Sequence, residues 1–325
     1  MLFETVALCL LAFAFGASGA WIVARIGRRL GLLDMPNQRS SHQKATPKGG
    51  GVGILIAFVV TCLVLELPAS FWIPLASLSL LSFLGDRRDL SIRTRLASQA
   101  GGSLVVLWGL IGNLQNHPPA YSFLIFGCFF MVATCNVYNF MDGIDGIAGA
   151  TGVVACAFFG IYMVRLGVDS SHIAALVCMA FACLGFLPFN FPSARVFMGD
   201  VGSILLGSIF GFLIIWLSSS ALDFFCLVAF LFPFYADEVT TMLVRLADGE
   251  SLLRSHRRHL YQLCANEFGI PHWKVTLAYV LLQILIGACA LVLRGLGGYL
   301  VLVLLIVAFI AFAVTSQCVR ARLQA

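Results

Sequence analysis

Long runs of hydrophobic residues, separated by short polar segments, make up most of this 325-residue chain. An apolar stretch of about 17–25 residues is long enough to cross a bilayer as an α-helix. Eleven segments approach this pattern, near residues 2–24, 52–67, 70–85, 97–113, 121–138, 147–164, 172–190, 202–218, 222–243, 275–293 and 297–316. The pattern predicts an all-α, polytopic membrane protein of about 11 transmembrane helices, forming a single domain over residues 1–325.

Composition excludes a soluble enzyme. The chain is 60% hydrophobic and 11% charged, whereas soluble domains are about 45–50% apolar and about 25% charged. The widest polar segments, residues 25–51 and 244–274, are too short for an independent domain of about 50 residues or more. A Rossmann-type nucleotide-binding domain is therefore excluded, and any chemistry must lie in loops and helix ends.

The distribution of basic residues predicts the orientation. With the N-terminus outside, 18 of the 20 Lys and Arg residues fall in inside segments, which leaves Arg165 and Arg294 outside. The positive-inside rule then places the N-terminus in the periplasm and the C-terminus in the cytoplasm. The eleven cysteines include no C-x-x-C pair and are interpreted as small packing residues between helices.

Three acidic segments fall at cytoplasmic ends of predicted spans. They read G-D-R-R-D-L-S around Asp86, N-V-Y-N-F-M-D-G-I-D-G-I-A-G around Asp142, and F-M-G-D-V-G-S around Asp200. In the second, Asn136, Asn139, Asp142 and Asp145 recur every three residues, so they are neighbours if the segment is helical. Such oxygen ligands suit Mg²⁺ or Mn²⁺. Alternatively, Asp and Gly are turn formers at an interfacial loop.

Two basic loops lie on the same predicted side. The first reads R-S-S-H-Q-K-A-T-P-K-G-G-G and combines Arg39, His42, Lys44 and Lys48 with glycines whose amides could bind phosphate. The second reads H-R-R-H-L-Y-Q and contains His256, Arg258 and His259. Such clusters also fix topology and contact anionic lipid. Cations and carboxylates at one surface are nevertheless the composition that a magnesium-bound diphosphate requires. His117, His172 and His272 are assigned no function.

Four of these motifs, namely the segments around Asp142 and Asp200 and the two basic loops, closely resemble the polyprenyl-phosphate N-acetylhexosamine-1-phosphate transferases in order and spacing over about residues 25–280. This bacterial family includes phospho-N-acetylmuramoyl-pentapeptide transferase and the enzymes that initiate O-antigen. The resemblance implies a multi-pass protein of the bacterial inner membrane that transfers a sugar-1-phosphate from a UDP-N-acetylhexosamine to undecaprenyl phosphate, with Mg²⁺ or, as the second choice, Mn²⁺. It implies no nucleic-acid partner, contact with membrane lipid, and a possible homodimer.

The resemblance also assigns residues. It implies catalytic roles for Asp86, Asp142, Asp200, His256 and His259, with metal ligation by Asp200 and Asn139. It implies substrate binding by Lys44, Lys48, Asn136, Asn139, Gly143, Asp145, Phe197 and Arg258. Asp237 matches an Asp of the ninth span. One departure is Gly85, since the family usually has two adjacent Asp residues where this chain reads Gly85-Asp86. Asp86 alone is expected to orient the lipid phosphate or the metal.

The sequences of the two basic loops differ from those of the muramoyl-pentapeptide branch. This difference favours UDP-GlcNAc or a UDP-6-deoxy-N-acetylhexosamine as the donor. A secondary transporter is a competing interpretation, but transporters bind their substrates near the bilayer midplane whereas these acidic residues lie at span ends. Asp237 and Glu238 are the deeper exceptions, which a helix break near Pro233 could explain. A catalytically silent homologue is a third interpretation, based on Gly85.

Overall fold

The computed structural model describes residues 2–36, 41–88, 91–112, 121–251 and 256–324, and these residues are almost entirely helical. The α-helices are α1 Leu2–Ile26, α2 Val52–Val64, α3 Ala69–Arg88, α4 Ile92–Gly112, α5 Tyr121–Phe140, α6 Ile147–Arg165, α7 Ser170–Asn190, α8 Asp200–Leu217, α9 Ala221–Ala229, α10 Phe232–Ala247, α11 Leu260–Gln262, α12 His272–Leu296 and α13 Gly298–Gln324. A π-helical turn, Leu263–Glu267, follows α11. Strands β1, Leu33–Asp34, and β2, Thr46–Pro47, pair antiparallel.

Each of the eleven predicted apolar segments is helical, which confirms the all-α fold. Within the described residues, seven helices are long and apolar enough to cross a membrane, or eight if α9 and α10 form one bent span. The ninth predicted span is broken, because α9 and α10 meet at 93° and Pro233 occupies the first turn of α10, where its missing N–H costs no helical hydrogen bond. The span count of eleven and the orientation stay predictions.

Helix α8 forms the centre of the bundle. Nearly all of its residues are buried, as expected for a helix that is apolar on every face. Glycines permit close neighbours, because a Cβ on Gly207 would lie 2.9 Å from the Cα of Cys135 on α5, and one on Gly202 would lie 3.1 Å from the Cα of Gly51. Small residues at helix contacts are the usual means by which membrane helices approach closely. The N-terminus of α8 is thus fixed against α5 and the first loop.

A second close contact joins α1 to α7. A Cβ on Gly16 would collide with the carbonyl oxygen of Ala182, and one on Gly185 would collide with that of Phe13. All eleven cysteines are free thiols, in agreement with the packing role predicted for them. These contacts fix the outer helices around α8 without disulfides.

A polar cluster lies at the C-terminal ends of α6 and α12. The Arg294 guanidinium donates to Asp223 Oδ1 at 2.7 and 2.9 Å, and the Tyr162 hydroxyl donates to the same oxygen at 2.7 Å. Arg165 donates to the Leu291 carbonyl at 2.9 Å. The two basic residues predicted to lie outside therefore lie at one end of the bundle, opposite the N-termini of α6 and α12.

Candidate active site

The first loop is attached by its backbone to the segment before α8. The Phe197 N–H donates to the Pro47 carbonyl at 2.8 Å, and the Phe197 carbonyl accepts from the Gly49 and Gly50 N–H groups at 3.1 and 2.9 Å. The Gly51 N–H donates to the Met198 carbonyl at 2.9 Å. The sequence-based expectation that these glycine amides bind phosphate is therefore wrong, because protein carbonyls already accept from them.

Asp200 is the first residue of α8. Gly199 precedes it with φ 74°, a left-handed value that favours glycine. Asp200 Oδ1 accepts from the Asn139 side-chain amide at 3.0 Å, and Oδ2 accepts from Arg95 Nη1 at 2.8 Å. The same Asn139 amide nitrogen donates to Ser203 Oγ at 2.8 Å. Asn139 therefore directs its N–H groups into the protein, which leaves its carbonyl oxygen as the atom suited to bind a ligand.

Asp142 and Asp145 lie in the break between α5 and α6. Helix α5 ends at Phe140, so the three-residue spacing does not continue as a helix beyond that point. Gly146 has φ 81° and its N–H donates to Asn190 Oδ1 at 2.8 Å. The Tyr261 hydroxyl donates to the Phe140 carbonyl at 2.9 Å and packs so closely on Gly143 that a Cβ there would collide with it. The break leaves Asp142 half-buried in the loop between the two helices.

These elements enclose a polar cleft of about 310 Å³. Six of the predicted site residues line it, namely Lys48, Asn139, Asp142, Gly143, Phe197 and Asp200. Residues that the site prediction did not include also line it, namely Asp34, Ser41, His42, Ile144, Asn190, Gly199 and Gln262. The cleft therefore combines carboxylates, amides and a lysine from four segments that are distant in sequence.

His42 forms one wall of this cleft. Its ring packs edge-on against Phe197 with centroids 4.8 Å apart, and its Nε2 lies 3.8 Å from Asp34 Oδ2. Within the described part of the chain, His42 Nε2 and Ser41 Oγ are buried without a hydrogen-bond partner. Buried polar atoms are normally satisfied, so these two atoms indicate a place where a polar ligand completes the hydrogen bonding.

Several predicted substrate-binding residues do not line the cleft. Lys44 is exposed. Asn136 donates to Gln99 Oε1 at 2.6 Å and to the Val132 carbonyl at 2.7 Å, which makes it a contact between α4 and α5. Asp86 falls in the last turn of α3, and its side chain lies outside the described residues. Arg39 also lies outside them.

Asp145 turns toward α12 and pairs with His272, to which the sequence analysis assigned no function. His272 Nδ1 lies 3.2 Å from Asp145 Oδ2, and the Thr276 hydroxyl donates to the Asp145 carbonyl at 2.8 Å. Both residues belong to the first turns of α12. The N-terminus of α12 therefore holds the end of the segment that carries Asp142.

The second basic loop does not line the cleft with its histidines. His259 is buried, with its ring 4.8 Å from that of His256 and its Nε2 3.6 Å from Glu238 Oε2. Burial lowers the pKa of His256 to about 4, so this imidazole is neutral near pH 7. Arg258 forms ion pairs with Asp248 at 2.6 Å and with Glu250. Of this motif, Gln262 reaches the cleft.

Asp237 fixes the start of α11. Its Oδ1 accepts from the Leu260 N–H at 2.7 Å and from the Thr241 hydroxyl at 3.2 Å. Its Oδ2 accepts from the Tyr261 N–H at 3.2 Å and from the Tyr279 hydroxyl at 2.6 Å. The carboxylate is fully buried, and all four bonds stabilise its charged form. Helix α10, which carries Asp237, therefore holds the loop that contains His256 and His259.

The donor set of the cleft suits a hard cation. Within the described residues, no three His, Cys, Asp or Glu side chains are arranged to hold a metal. Mg²⁺, however, typically binds one or two carboxylates and takes its remaining ligands from water and substrate phosphates. The Asp200 carboxylate and the Asn139 carbonyl oxygen meet that requirement, and Asp142 lines the same cleft.

This chain is similar to known transferases over most of its length. The sequence model of glycosyl transferase family 4 matches residues 68–218. An undecaprenyl-phosphate alpha-N-acetylglucosaminyl 1-phosphate transferase of Thermotoga maritima is 28% identical over 315 residues, which covers 93% of this chain and 94% of the relative. The protein of the same name from Escherichia coli K12 is 29% identical, covering 95% of this chain and 89% of the relative.

A phospho-N-acetylmuramoyl-pentapeptide-transferase of Staphylococcus aureus is also similar. It is 26% identical over 284 residues, covering 77% of this chain and 86% of the relative. These relatives transfer a sugar-1-phosphate according to their names, so the resemblance to this family inferred from the motifs is confirmed, and the O-antigen-initiating subtype stays a prediction.

Proposed function

We propose, from the match of residues 68–218 to the model of glycosyl transferase family 4 and from the similar transferases, that this chain transfers N-acetylhexosamine-1-phosphate from a UDP-sugar to undecaprenyl phosphate. The products are undecaprenyl-diphospho-N-acetylhexosamine and UMP. The observation that carries the proposal is the convergence of Lys48, Asn139, Asp142 and Asp200 on one cleft. We further propose that this is the first membrane step of O-antigen or another cell-surface polysaccharide, with UDP-GlcNAc or a 6-deoxy relative as donor.

The charges of the cleft support diphosphate binding. Arg95 pairs with Asp200 at 2.8 Å and Lys48 lines the cleft, so two positive charges accompany the carboxylate, and a guanidinium is well suited to phosphate oxygens. His42 Nε2 and Ser41 Oγ add buried polar atoms that a ligand would satisfy. Asp142, Gly143 and Gln262 line the same cleft and are proposed to contact the sugar and the nucleoside of the donor.

Asp200 and Asn139 would hold Mg²⁺, or Mn²⁺, in this cleft. When bound there, a divalent cation supplies charge neutralisation for the leaving UMP. Asn139 and Arg95 orient the Asp200 carboxylate, because each of them donates a hydrogen bond to one of its two oxygens. The α8 N-terminus adds a partial positive charge at the same point.

The attacking group needs little help from a base. A lipid monophosphate resembles phosphoserine, whose second pKa is about 6, so it is largely dianionic near pH 7. Positioning and charge neutralisation by Arg95 and Lys48 are then the main contributions to in-line attack on the β-phosphorus. Asp86 is proposed to orient the acceptor phosphate. His256 is neutral, because burial lowers its pKa to about 4, and it does not line the cleft, so the proposal gives it no part in binding the phosphates.

The membrane setting supports the same assignment. The multiple apolar helices make this a multi-pass membrane protein. The proposed location is the bacterial inner membrane with the cleft on the cytoplasmic side, where UDP-sugars are made. Asp200, Asp145 and His272 all lie at helix ends on one side of the bundle, and Arg165 and Arg294 lie at the other, which matches the asymmetry of basic residues.

The test is UMP release by the purified protein in detergent, with undecaprenyl phosphate, a panel of UDP-N-acetylhexosamines and Mg²⁺. Release is expected to require the lipid and the metal, to stop with EDTA, and to be lost in D200N. D169N is the matched control, because Asp169 caps α7, away from the cleft, and Asn is an equally good capping residue. Absence of release with every donor, from folded protein, would contradict the proposal and favour a silent homologue, for which G85D is the next variant.

A further inference from the structure

A second cavity, of about 480 Å³, lies between α12, α13 and the π-helical turn. It shares no lining residue with the polar cleft. Leu260 lines this cavity whereas Gln262 lines the cleft, so the short helix α11 separates the two. The walls are almost entirely apolar, and the size falls within the about 300–1,000 Å³ of typical ligand pockets.

The cavity is a slot that follows one stripe of α12. Lys274, Ala278, Leu282 and Ile286 line it at intervals of four residues, which is the spacing of one helix face. At 1.5 Å per residue, the twelve steps from Lys274 to Ile286 span about 18 Å, close to the roughly 15 Å of one leaflet of the hydrocarbon core. The slot therefore has the length of a single acyl chain.

Small residues on both helices leave this space open. On α13 the lining residues are Ala308, Ala311, Phe312 and Thr315, so three of the four are small. Ala278 and Ala311 are exposed at the surface of the bundle. A membrane lipid can therefore enter from the side, which a closed internal void would not permit.

One end of the slot carries a positive charge without a counter-ion. Within the described residues, Lys274 has no carboxylate at ion-pair distance, and its ammonium lies 5.5 Å from the centre of the exposed Trp273 ring. The acidic residue of the neighbouring turn, Glu267, already pairs with Arg257 at 3.2 Å. Trp marks the depth of the membrane interface, and a basic residue at that depth suits an anionic headgroup.

We propose that this slot binds one anionic phospholipid, with an acyl chain along α12 and the headgroup phosphate at Lys274. A phospholipid fits better than the polyprenyl acceptor for two reasons. A polyprenyl chain is far longer than one leaflet, and a phosphate at Lys274 would be separated from the cleft by α11. The bound lipid contacts Leu260 and Tyr279, both of which bond to Asp237, so it supports the helix that follows His259.

The experiment measures retained lipid and does not depend on catalysis. The protein is incorporated into nanodiscs of equal parts phosphatidylglycerol and phosphatidylcholine, extracted in mild detergent, and examined by native mass spectrometry. The wild type is expected to retain one phosphatidylglycerol in preference to phosphatidylcholine. A311F, which fills the slot, is expected to retain about tenfold less, because about two buried methylenes are lost from the contact.

A288F is the matched control, since Ala288 is exposed on α12 but does not line the slot, and it is expected to retain lipid like the wild type. K274Q is expected to remove the preference for phosphatidylglycerol, and K274R to keep it. Equal retention by A311F and the wild type would overturn the proposal, as would equal binding of the two phospholipids by the wild type. Displacement of phosphatidylglycerol by undecaprenyl phosphate would assign the slot to the acceptor and also overturn it.

Discussion

Replacement of Asp237 by Asn tests whether this buried carboxylate holds the second basic loop. The Asp237 side chain accepts four hydrogen bonds, two at each oxygen. An Asn side chain keeps one oxygen and replaces the other with an NH₂ group that cannot accept. Two buried donors then lose their partner, whichever way the amide is turned.

The magnitude follows from those two donors. A hydrogen bond to a charged group contributes about 1.5–3 kcal/mol, so Asp237→Asn is expected to lower the free energy of unfolding by about 3–6 kcal/mol. At roughly 2 °C per kcal/mol for a chain of this size, the apparent Tm falls by about 6–12 °C. Protection of the Leu260 and Tyr261 amides against hydrogen exchange should fall with it, because both amides donate to Asp237.

Glu238→Gln is the matched control in the adjacent position. Within the described residues, Glu238 Oε2 is buried without a hydrogen-bond partner, so its replacement by an amide deprives no existing donor of its acceptor and should change Tm by less than about 2 °C. Thermal unfolding in detergent, followed by tryptophan fluorescence, measures both variants. Equal shifts for the two variants, or an unchanged exchange rate at Leu260 in D237N, would refute this account of the loop.

Three further predictions concern the cleft and its supports. Asp200→Asn should lower kcat by about 10²–10³-fold with little change in Tm; a kcat within threefold of wild type would exclude Asp200 from the site. His272→Ala, which removes the partner of Asp145, should raise the KM for the donor about fivefold with kcat nearly unchanged, and an unchanged KM would show that Asp145 needs no partner. Burial lowers the pKa of His256 to about 4, below about 6.5 in the unfolded chain, so between these pH values the unfolded state binds more protons and the free energy of unfolding falls as pH falls. His256→Gln should make that decline shallower in denaturant titrations at pH 7, 5.5 and 4.5, and parallel curves would contradict it.

The sequence predicted the fold well, because apolar runs of membrane length have few alternatives to a helix. It also predicted that Asn139, Asp142 and Asp200 would converge, since each lies at a span end on one side. The break between α9 and α10 was suggested by Pro233, and the structure places α9 and α10 at 93° to each other.

The pairing of side chains across distant elements was not predictable. Arg95 lies 105 residues before Asp200, and hydropathy does not indicate how far a guanidinium reaches. Arg258 resembled a phosphate ligand in sequence, yet Asp248 and Glu250 neutralise it. His272 was interpreted as an interfacial residue because it precedes Trp273 and Lys274. No sequence pattern links it to Asp145. In each case the partner is set by tertiary packing.

Hydrogen bonds hold residues 47–51 of the first loop against residues 197–198, directly before Asp200. Each of these bonds joins main-chain atoms, so any side chain compatible with the local backbone leaves the spacing between the two segments unchanged. Phe197, whose backbone forms a parallel bridge with that of Lys48 there, can thus be exchanged for another residue without displacing Asp200 or Lys48. Divergent relatives could in this way acquire new sugar preferences from the first loop while the phosphate chemistry beside it stays the same.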